Sequence, residues 1–184
     1  MALSSEEQRT SELDDVETLM RLYKAKVLRF VAFSLGDRDA AESITHDCLL
    51  KAHASRAQFR GDCSVSTWLM RIAFNLVRDH TKGLKFRFWK TVAASTVDVE
   101  DLSQYVPSRA SSPEVQLLAR EKVQMIQVAL KKLTPRQRSV FVMRFVEEMD
   151  YREVADIIGK SVPAVRVIQH RALGNLRKIM MAQV

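Results

Sequence analysis

Apolar side chains recur at three- and four-residue intervals through two long stretches of this chain, and between them the rhythm stops. In "VETLMRLYKAKVLRFVAFSL", Leu19, Leu22, Tyr23, Val27, Phe30 and Val31 share one helical face. Gly36, in "GDRD", breaks that helix. A second begins near Asp39 and runs through "AAESITHDCLLKAHAS". "FRGDCSVS" reads as a loop, after which Ser66 or Thr67 is placed to cap a third helix, "WLMRIAFNLVRDHTK", which Gly83 ends. Residues 84–112 lack a helical period, are rich in Ser, Thr and Val, and lead into two prolines, the composition of a connector. From Ser112-Pro113, a cap followed by a first-turn proline, the period returns and persists to Met181, and Thr134-Pro135 restarts it in the same way. The pattern predicts an all-α fold: two small helical domains over 13–82 and 113–181, joined by a flexible linker over 83–112.

The end of the second stretch, "DYREVADIIGKSVPAVRVIQHRALGNLRK", carries the sharpest local signals. Asp150 and Glu153 have capping-box spacing, so a short helix begins at Tyr151 with Val154, Ala155 and Ile158 on its inner face. Gly159 suits the left-handed residue that ends it. Ser161 caps the next helix, and Pro163 sits in the first turn, where a missing N–H costs nothing. Two helices joined by so tight a turn cross steeply, which is the helix-turn-helix geometry. Rotating the second helix by 100° per residue puts Val165, Ile168, Ala172, Leu176 and Ile179 inward. Pro163, Ala164, Arg166, Val167 and His170 then lie near the helix N-terminus, where such a motif meets base edges in the major groove. An arginine bonds guanine bidentately, and Val or Ala meets a thymine methyl. Arg171, Arg177 and Lys178 suit phosphate, which positions without specifying.

Charge separates this stretch from an ordinary amphipathic hairpin. The formal net charge of the 184 residues is +7. Residues 1–82 balance at zero, whereas 113–184 carry 13 basic and 7 acidic residues, and from Lys160 onward there is no acid at all. A positive field confined to one end is the footprint of a phosphate-binding surface. "KFRFWK", at the start of the connector, interleaves cations with aromatics and fits nucleic-acid contact and docking on a neighbouring domain equally well. No apolar run reaches the ~18 residues of a membrane span, and "MALSSEEQRTSELDD" is no secretory signal. The expectation is a cytoplasmic protein with no membrane insertion.

Enzyme chemistry is not in evidence. There is no phosphate-binding glycine loop, HExxH or GxSxG. His46, Cys48, His53 and Cys63 have no paired metal-ligand spacing. Cys48 is read as buried, Cys63 as a loop thiol exposed to oxidants. No catalytic residue, cofactor or metal is assigned.

With these residues in place, the chain resembles a bacterial RNA polymerase sigma factor of the extracytoplasmic-function type over about Leu19–Lys82 and Pro113–Lys178. "LTPRQRSVFVMRF", "YREVADIIGKS" and "HRALGNLR" are similar to that family's fourth region, which binds the −35 promoter element. "DAAESITHDCLLKAH" looks like the helix that docks on the clamp helices of the polymerase's largest subunit, and "STWLMRIAFNLVRDHTK" like the part that engages the −10 element. The resemblance implies promoter DNA, core RNA polymerase (clamp helices and flap) and an anti-sigma factor as partners. By residue, it implies polymerase contacts at Asp39, Glu42, Thr45, His46, Asp47, Leu49 and Lys51. For the −10 element it implies Phe59, Arg60, Ser64, Ser66, Trp68, Arg71, Asn75, Arg78, Asp79 and Lys82. For the −35 element it implies Ser161, Pro163, Ala164, Arg166, Val167, His170, Arg171, Arg177 and Lys178. A flipped base needs stacking and edge hydrogen bonds, and "FRGDCSVSTW" holds both kinds of group. The chain departs from the family pattern at Ser43 and His46-Asp47 in the docking helix, at Ile168-Gln169 in the recognition helix, and at Glu148, where the family commonly has Gly. A stand-alone helix-turn-helix regulator is the competing reading. It requires a sensor or dimerisation domain in the N-terminal half, and residues 13–82 have neither a βα alternation nor a phospho-acceptor pocket.

Overall fold

The computed structural model describes residues 12–90 and 123–181, with side chains given throughout except at 84–90. Every regular element among these residues is helical. Helix α1 spans Val16–Leu35, α2 Arg38–Ala54 and α3 Val65–Lys90, with a single 3-10 turn at Arg56–Gln58 before α3. Residues 123–131 are helical, and α4 (Pro135–Phe145), α5 (Tyr151–Ile158) and α6 (Val162–Met181) follow.

The boundaries come from local chemistry. Asp15 accepts the Glu17 and Thr18 amides at the start of α1, and Gly36 ends it at φ 70° while donating its N–H to the Ala32 carbonyl. Asp37 caps α2 through the Ala40 amide. Thr134 and Gln137 form a reciprocal capping box on α4, as Asp150 and Glu153 do on α5, and Gly159 closes α5 at φ 62°. Two expected boundaries are corrected. The cap of α3 is Ser64, whose hydroxyl accepts the Thr67 amide at 3.0 Å; Ser66 and Thr67 lie inside the first turn. Helix α3 also passes through Gly83 to Lys90. A helical glycine costs about 1 kcal/mol relative to alanine but stops a helix only when it turns left-handed, and Gly83 is not among the positive-φ glycines. The backbone of "KFRFWK" is therefore helical; its side chains, and the rest of the expected linker and the Ser112-Pro113 cap, lie outside the described residues.

The inward positions of each helix build the core. Leu19, Val27, Phe30, Val31, Leu49, Leu69, Met70 and Val77 are buried in the N-terminal half, and Leu130, Met143, Val154, Val165 and Ala172 in the C-terminal half. Ile168 and Ile179 pack against this core part-buried. The tail of the first half is tied down by Tyr23 Oη donating to Glu12 at 2.7 Å and by the His53 ring, whose Nδ1 lies 3.0 Å from the Leu13 carbonyl. His53 thus has a structural task.

The two halves do not stand apart as separate beads. Helix α1 packs on α4, and α3 packs on α4 and α5, which gives one continuous buried cluster. Three polar clasps cross the boundary. Arg29 on α1 makes a bidentate pair with Glu147, Nε to Oε1 at 2.7 Å and Nη2 to Oε2 at 2.6 Å. The Glu147 side chain is 0% exposed and Arg29 21%. Arg138 donates to the carbonyls of Ser34, Lys131 and Leu133, so the end of α1 and the turn before α4 share one guanidinium. Thr67 Oγ1 donates to Glu153 Oε1 at 2.8 Å. A lone buried carboxylate is far costlier than a paired one, and breaking such a pair costs ~3–5 kcal/mol. Arg29→Met should therefore destabilise the chain by about that amount in urea unfolding, and adding Glu147→Met should recover most of the loss. A loss under ~1 kcal/mol for Arg29→Met would mean that the pair is solvated.

Glu148 sits at φ 54°. A left-handed conformation costs an L-residue with a Cβ ~1–2 kcal/mol, which explains why glycine suits this turn. Glu148→Gly should raise stability by up to ~1 kcal/mol, because the relief is partly offset by glycine's freedom in the unfolded chain. Equal or lower stability would show that the Glu148 side chain compensates.

Candidate nucleic-acid and polymerase interfaces

The helix-turn-helix forms as its caps dictate. The Asp150 carboxylate accepts the Arg152 and Glu153 amides, and Glu153 Oε2 accepts the Asp150 amide at 2.9 Å. The second carboxylate oxygen of Glu153 takes the Thr67 proton, so one side chain caps α5 and holds α3. Val154, Ala155, Ile157 and Ile158 are buried beneath it. Helix α6 starts behind Ser161, whose carbonyl accepts the Val165 amide. Its buried side is Val165, Ala172 and Leu176. Ser161, Pro163, Arg166, Val167, His170, Arg171, Arg177 and Lys178 are exposed, and Ala164 is half-buried. All nine expected −35 residues thus sit on one helix and its cap. Arg177 also borders an apolar groove with Met125, Leu173 and Met180, so its stem covers apolar surface while its head stays in solvent.

Two residues missed in the sequence stand behind the reading face. The Arg166 guanidinium carbon lies 4.6 Å from the centre of the Tyr151 ring, and that of Arg144 lies 4.1 Å from it. Arg144 donates to the Met149 carbonyl. No periodicity links 144, 151 and 166; only the fold brings them together.

The loop before α3 forms the second surface. Phe59 and Trp68 pair with ring centroids 5.4 Å apart and planes at 55°, an attractive tilted geometry. They line an open pocket with Arg60, Asp62, Cys63 and Arg71. The pocket offers an aromatic wall, polar edges and two guanidiniums. The Ser64 and Thr67 hydroxyls are paired at 2.8 Å, and the Ser66 hydroxyl is buried, away from solvent. Thr67's one proton goes to Glu153, so Ser64 is the donor of that pair. Arg71, Asn75, Arg78 and Lys82 continue along α3 at three- and four-residue spacing, a single stripe. Asp79 pairs with Arg78 at 3.1 Å in solvent. Burial raises the Cys63 thiol, so it is protonated and less reactive than an exposed thiol. Cys48 is buried, and desolvation pushes it up to about 12.

The third surface is the outer side of α2. Asp39, Glu42, His46, Asp47 and Lys51 are exposed there. Thr45 and Leu49 are corrected: they are 1% and 0% exposed and belong to the core. They form the floor of a groove whose rims are Met20, Lys24 and Leu28 from α1 and Glu42 and His46 from α2. Leu50, 43% exposed, is an apolar residue on this helix that the sequence reading passed over.

The Asp150 cap gives a pH signature. Backbone hydrogen bonds hold its carboxyl below the ordinary value near 3.8. A depressed folded value means that the contribution is complete above the unfolded value and is lost as pH falls through the folded one. The stability advantage of wild type over Asp150→Ala should thus be constant near neutrality and shrink below about pH 4, as thermal melts across pH would read. An advantage that persists to strongly acidic pH would mean that charge plays no part in the cap.

The family comparison agrees with the geometry. The family model described as "Sigma-70 region 2" matches residues 19–87, and "Sigma-70, region 4" matches residues 129–178. The chain is 27% identical over 168 residues to RNA polymerase sigma factor YlaC of Bacillus subtilis, covering 91% of this chain and 92% of that one. It is 28% identical over 167 residues to ECF RNA polymerase sigma factor SigW of the same organism, covering 90% and 88%. Among solved structures, RpoE of Bartonella quintana, determined with the anti-sigma factor NepR, superposes with a TM-score of 0.70 at 19% identity over 90% of this chain and 96% of that one. With both diagnostic regions present in order, on the expected helices, the chain belongs to the sigma-70 family of RNA polymerase sigma factors, in its extracytoplasmic-function branch.

Proposed function

We propose that this sigma factor docks on core RNA polymerase through the outer face of α2 and the groove behind it. It captures melted −10 bases in the Phe59–Trp68 pocket and along the α3 stripe, and lays α6 in the major groove of the −35 element. Residues 13–82 serve polymerase and the −10 strand, 83–112 connect, and 113–181 serve the −35 duplex. The chain performs no covalent chemistry; it acts by placing polymerase in the cytoplasm, where polymerase works. An anti-sigma factor holds it inactive. In support of that partner, Met125, Ile126, Phe145, Leu173 and Met180 leave an exposed apolar surface on the C-terminal half, which a polymerase flap and an inhibitor would both cover.

The observation that carries the reading is one chain in which a capped helix-turn-helix with a basic outer face is preceded by a base-sized aromatic pocket at the head of a polar-striped helix. Spacing adds a constraint. At ~3.4 Å per base pair, elements centred roughly 25 base pairs apart are on the order of 80 Å apart. Thr67 and Glu153 are in hydrogen-bond contact, so both elements cannot be held by the closed chain. Engagement must break the Arg29–Glu147, Arg138–Ser34 and Thr67–Glu153 clasps together. The 32 residues 91–122 reach up to ~3.3–3.6 Å each when extended, enough for that span.

The test is transcription by purified core polymerase from a promoter pool, with and without the chain, combined with a distance measurement between spin labels at Ala54 and Arg136, both exposed and outside the proposed interfaces. Start-site-specific transcripts only with the chain, and a label distance that lengthens by tens of Å in the promoter complex, are the expected results. Promoter binding by the chain alone, with nothing added to core polymerase, would favour a stand-alone regulator.

A further inference from the structure

The Tyr151–Arg166 contact joins a residue that reads no base to the residue best placed to read one. We propose that Tyr151 is a positioning residue for base recognition: its ring holds the Arg166 guanidinium flat, so that the guanidinium's edge is presented to a guanine of the −35 element. This rests on the −35 reading of α6.

The geometry has three parts. Tyr151 is the first residue of α5, directly behind the Asp150 cap, and is packed against the core. Its ring cannot follow Arg166; Arg166 must come to it. The guanidinium carbon of Arg166 is 4.6 Å from the ring centre, within the range of a cation–π contact. The guanidinium carbon of Arg144, whose side chain donates to the Met149 carbonyl, lies over the same ring at 4.1 Å. No ion pair to Arg166 occurs among the described residues, and the side chain is exposed. The aromatic ring is thus the recorded contact that orients it.

The chemistry explains why a ring serves better than a carboxylate. Guanine O6 and N7 are read by two N–H groups in the guanidinium plane. A carboxylate partner would occupy those N–H groups, because arginine–carboxylate pairing is itself bidentate and edge-on. A ring occupies the face and leaves the edge free. An exposed arginine samples many rotamers, and ordering it on binding is unfavourable; a side chain already stacked has met that requirement before DNA arrives.

The experiment uses the full chain with core polymerase and a promoter library randomised over the −35 element, reading base preference from the transcripts. Wild type should show a guanine preference at one position that Arg166→Ala erases; Arg166→Lys, which can still donate to guanine O6 and N7 but has no planar face to stack, should make that preference insensitive to Tyr151→Leu. Tyr151→Phe should keep the preference. Tyr151→Leu should reduce it ~3–10-fold, as loss of a cation–π contact implies, and should have no further effect at that position in the Arg166→Ala background. Thermal unfolding of each variant confirms folding. If Tyr151→Leu does not fold, Tyr151→Met, unbranched and adaptable but without a ring, takes its place with the same expected reduction. Uniform weakening across all sequences in Tyr151→Leu, or a guanine preference left unchanged by Tyr151→Leu, would overturn it. Absence of transcripts with the wild-type chain would instead sink the sigma-factor reading itself.

Discussion

A carboxylate with no solvent exposure must find a cation, and Glu147 finds Arg29 on the far side of the boundary between the two halves. An arrangement that left it unpaired would be costly, so the pairing constrains how the apolar faces of the two halves meet. In the arrangement that satisfies it, α4 lies against α1, Arg138 reaches the end of α1 and Glu153 reaches Thr67. Each of these contacts takes a group that one half leaves unsatisfied, a carbonyl at a helix end or a capping carboxylate with a spare oxygen, and satisfies it from the other half. The halves are joined by polar specificity laid over a continuous apolar cluster. Such a joint is suited to opening, because every polar group in it finds water or a new partner once the halves part.

The proposed function distributes its tasks along the chain according to what each chemistry needs. Duplex reading needs a rigid helix with a bare, basic outer face, and α6 is held rigid by Val165, Ala172 and Leu176. Single-strand capture needs a pocket with an aromatic wall, and the loop before α3 folds Phe59 onto Trp68 to make one. Glu153 links the two, since the carboxylate that caps the first helix of the helix-turn-helix also receives the Thr67 hydroxyl, next in sequence to Trp68.

Most of the secondary structure was legible in the sequence because its signals are local. Asp15, Asp37, Asp150 and Thr134 cap as their residue types dictate. Gly36 and Gly159 turn left-handed where the helical period ends. At the misjudged points one local signal was overruled by another or by burial. Gly83 reads as a stop, yet α3 continues, because a glycine without a left-handed turn only weakens a helix. Ser66 and Thr67 are good caps by type, yet Ser64 is the cap in use, freeing the Thr67 hydroxyl for Glu153. On α2 the charged residues Asp39, Glu42, Asp47 and Lys51 are exposed, whereas Thr45 and Leu49 turn inward; a helix packed on two neighbours buries a wider arc than its own polar pattern suggests.

The sequence by itself determined the helices, the helix-turn-helix, the basic end and the family, because caps, glycines, period and charge act over a few residues. Tertiary structure alone decided three things. It closed the two halves on each other through Arg29 and Glu147, which are 118 residues apart. It placed Tyr151 under Arg166. It joined the aromatic pocket to the cap of α5 through Thr67 and Glu153. Each of these is a contact between side chains on different helices, and no periodicity encodes the angle at which one helix meets another; that angle is set by how the buried faces pack.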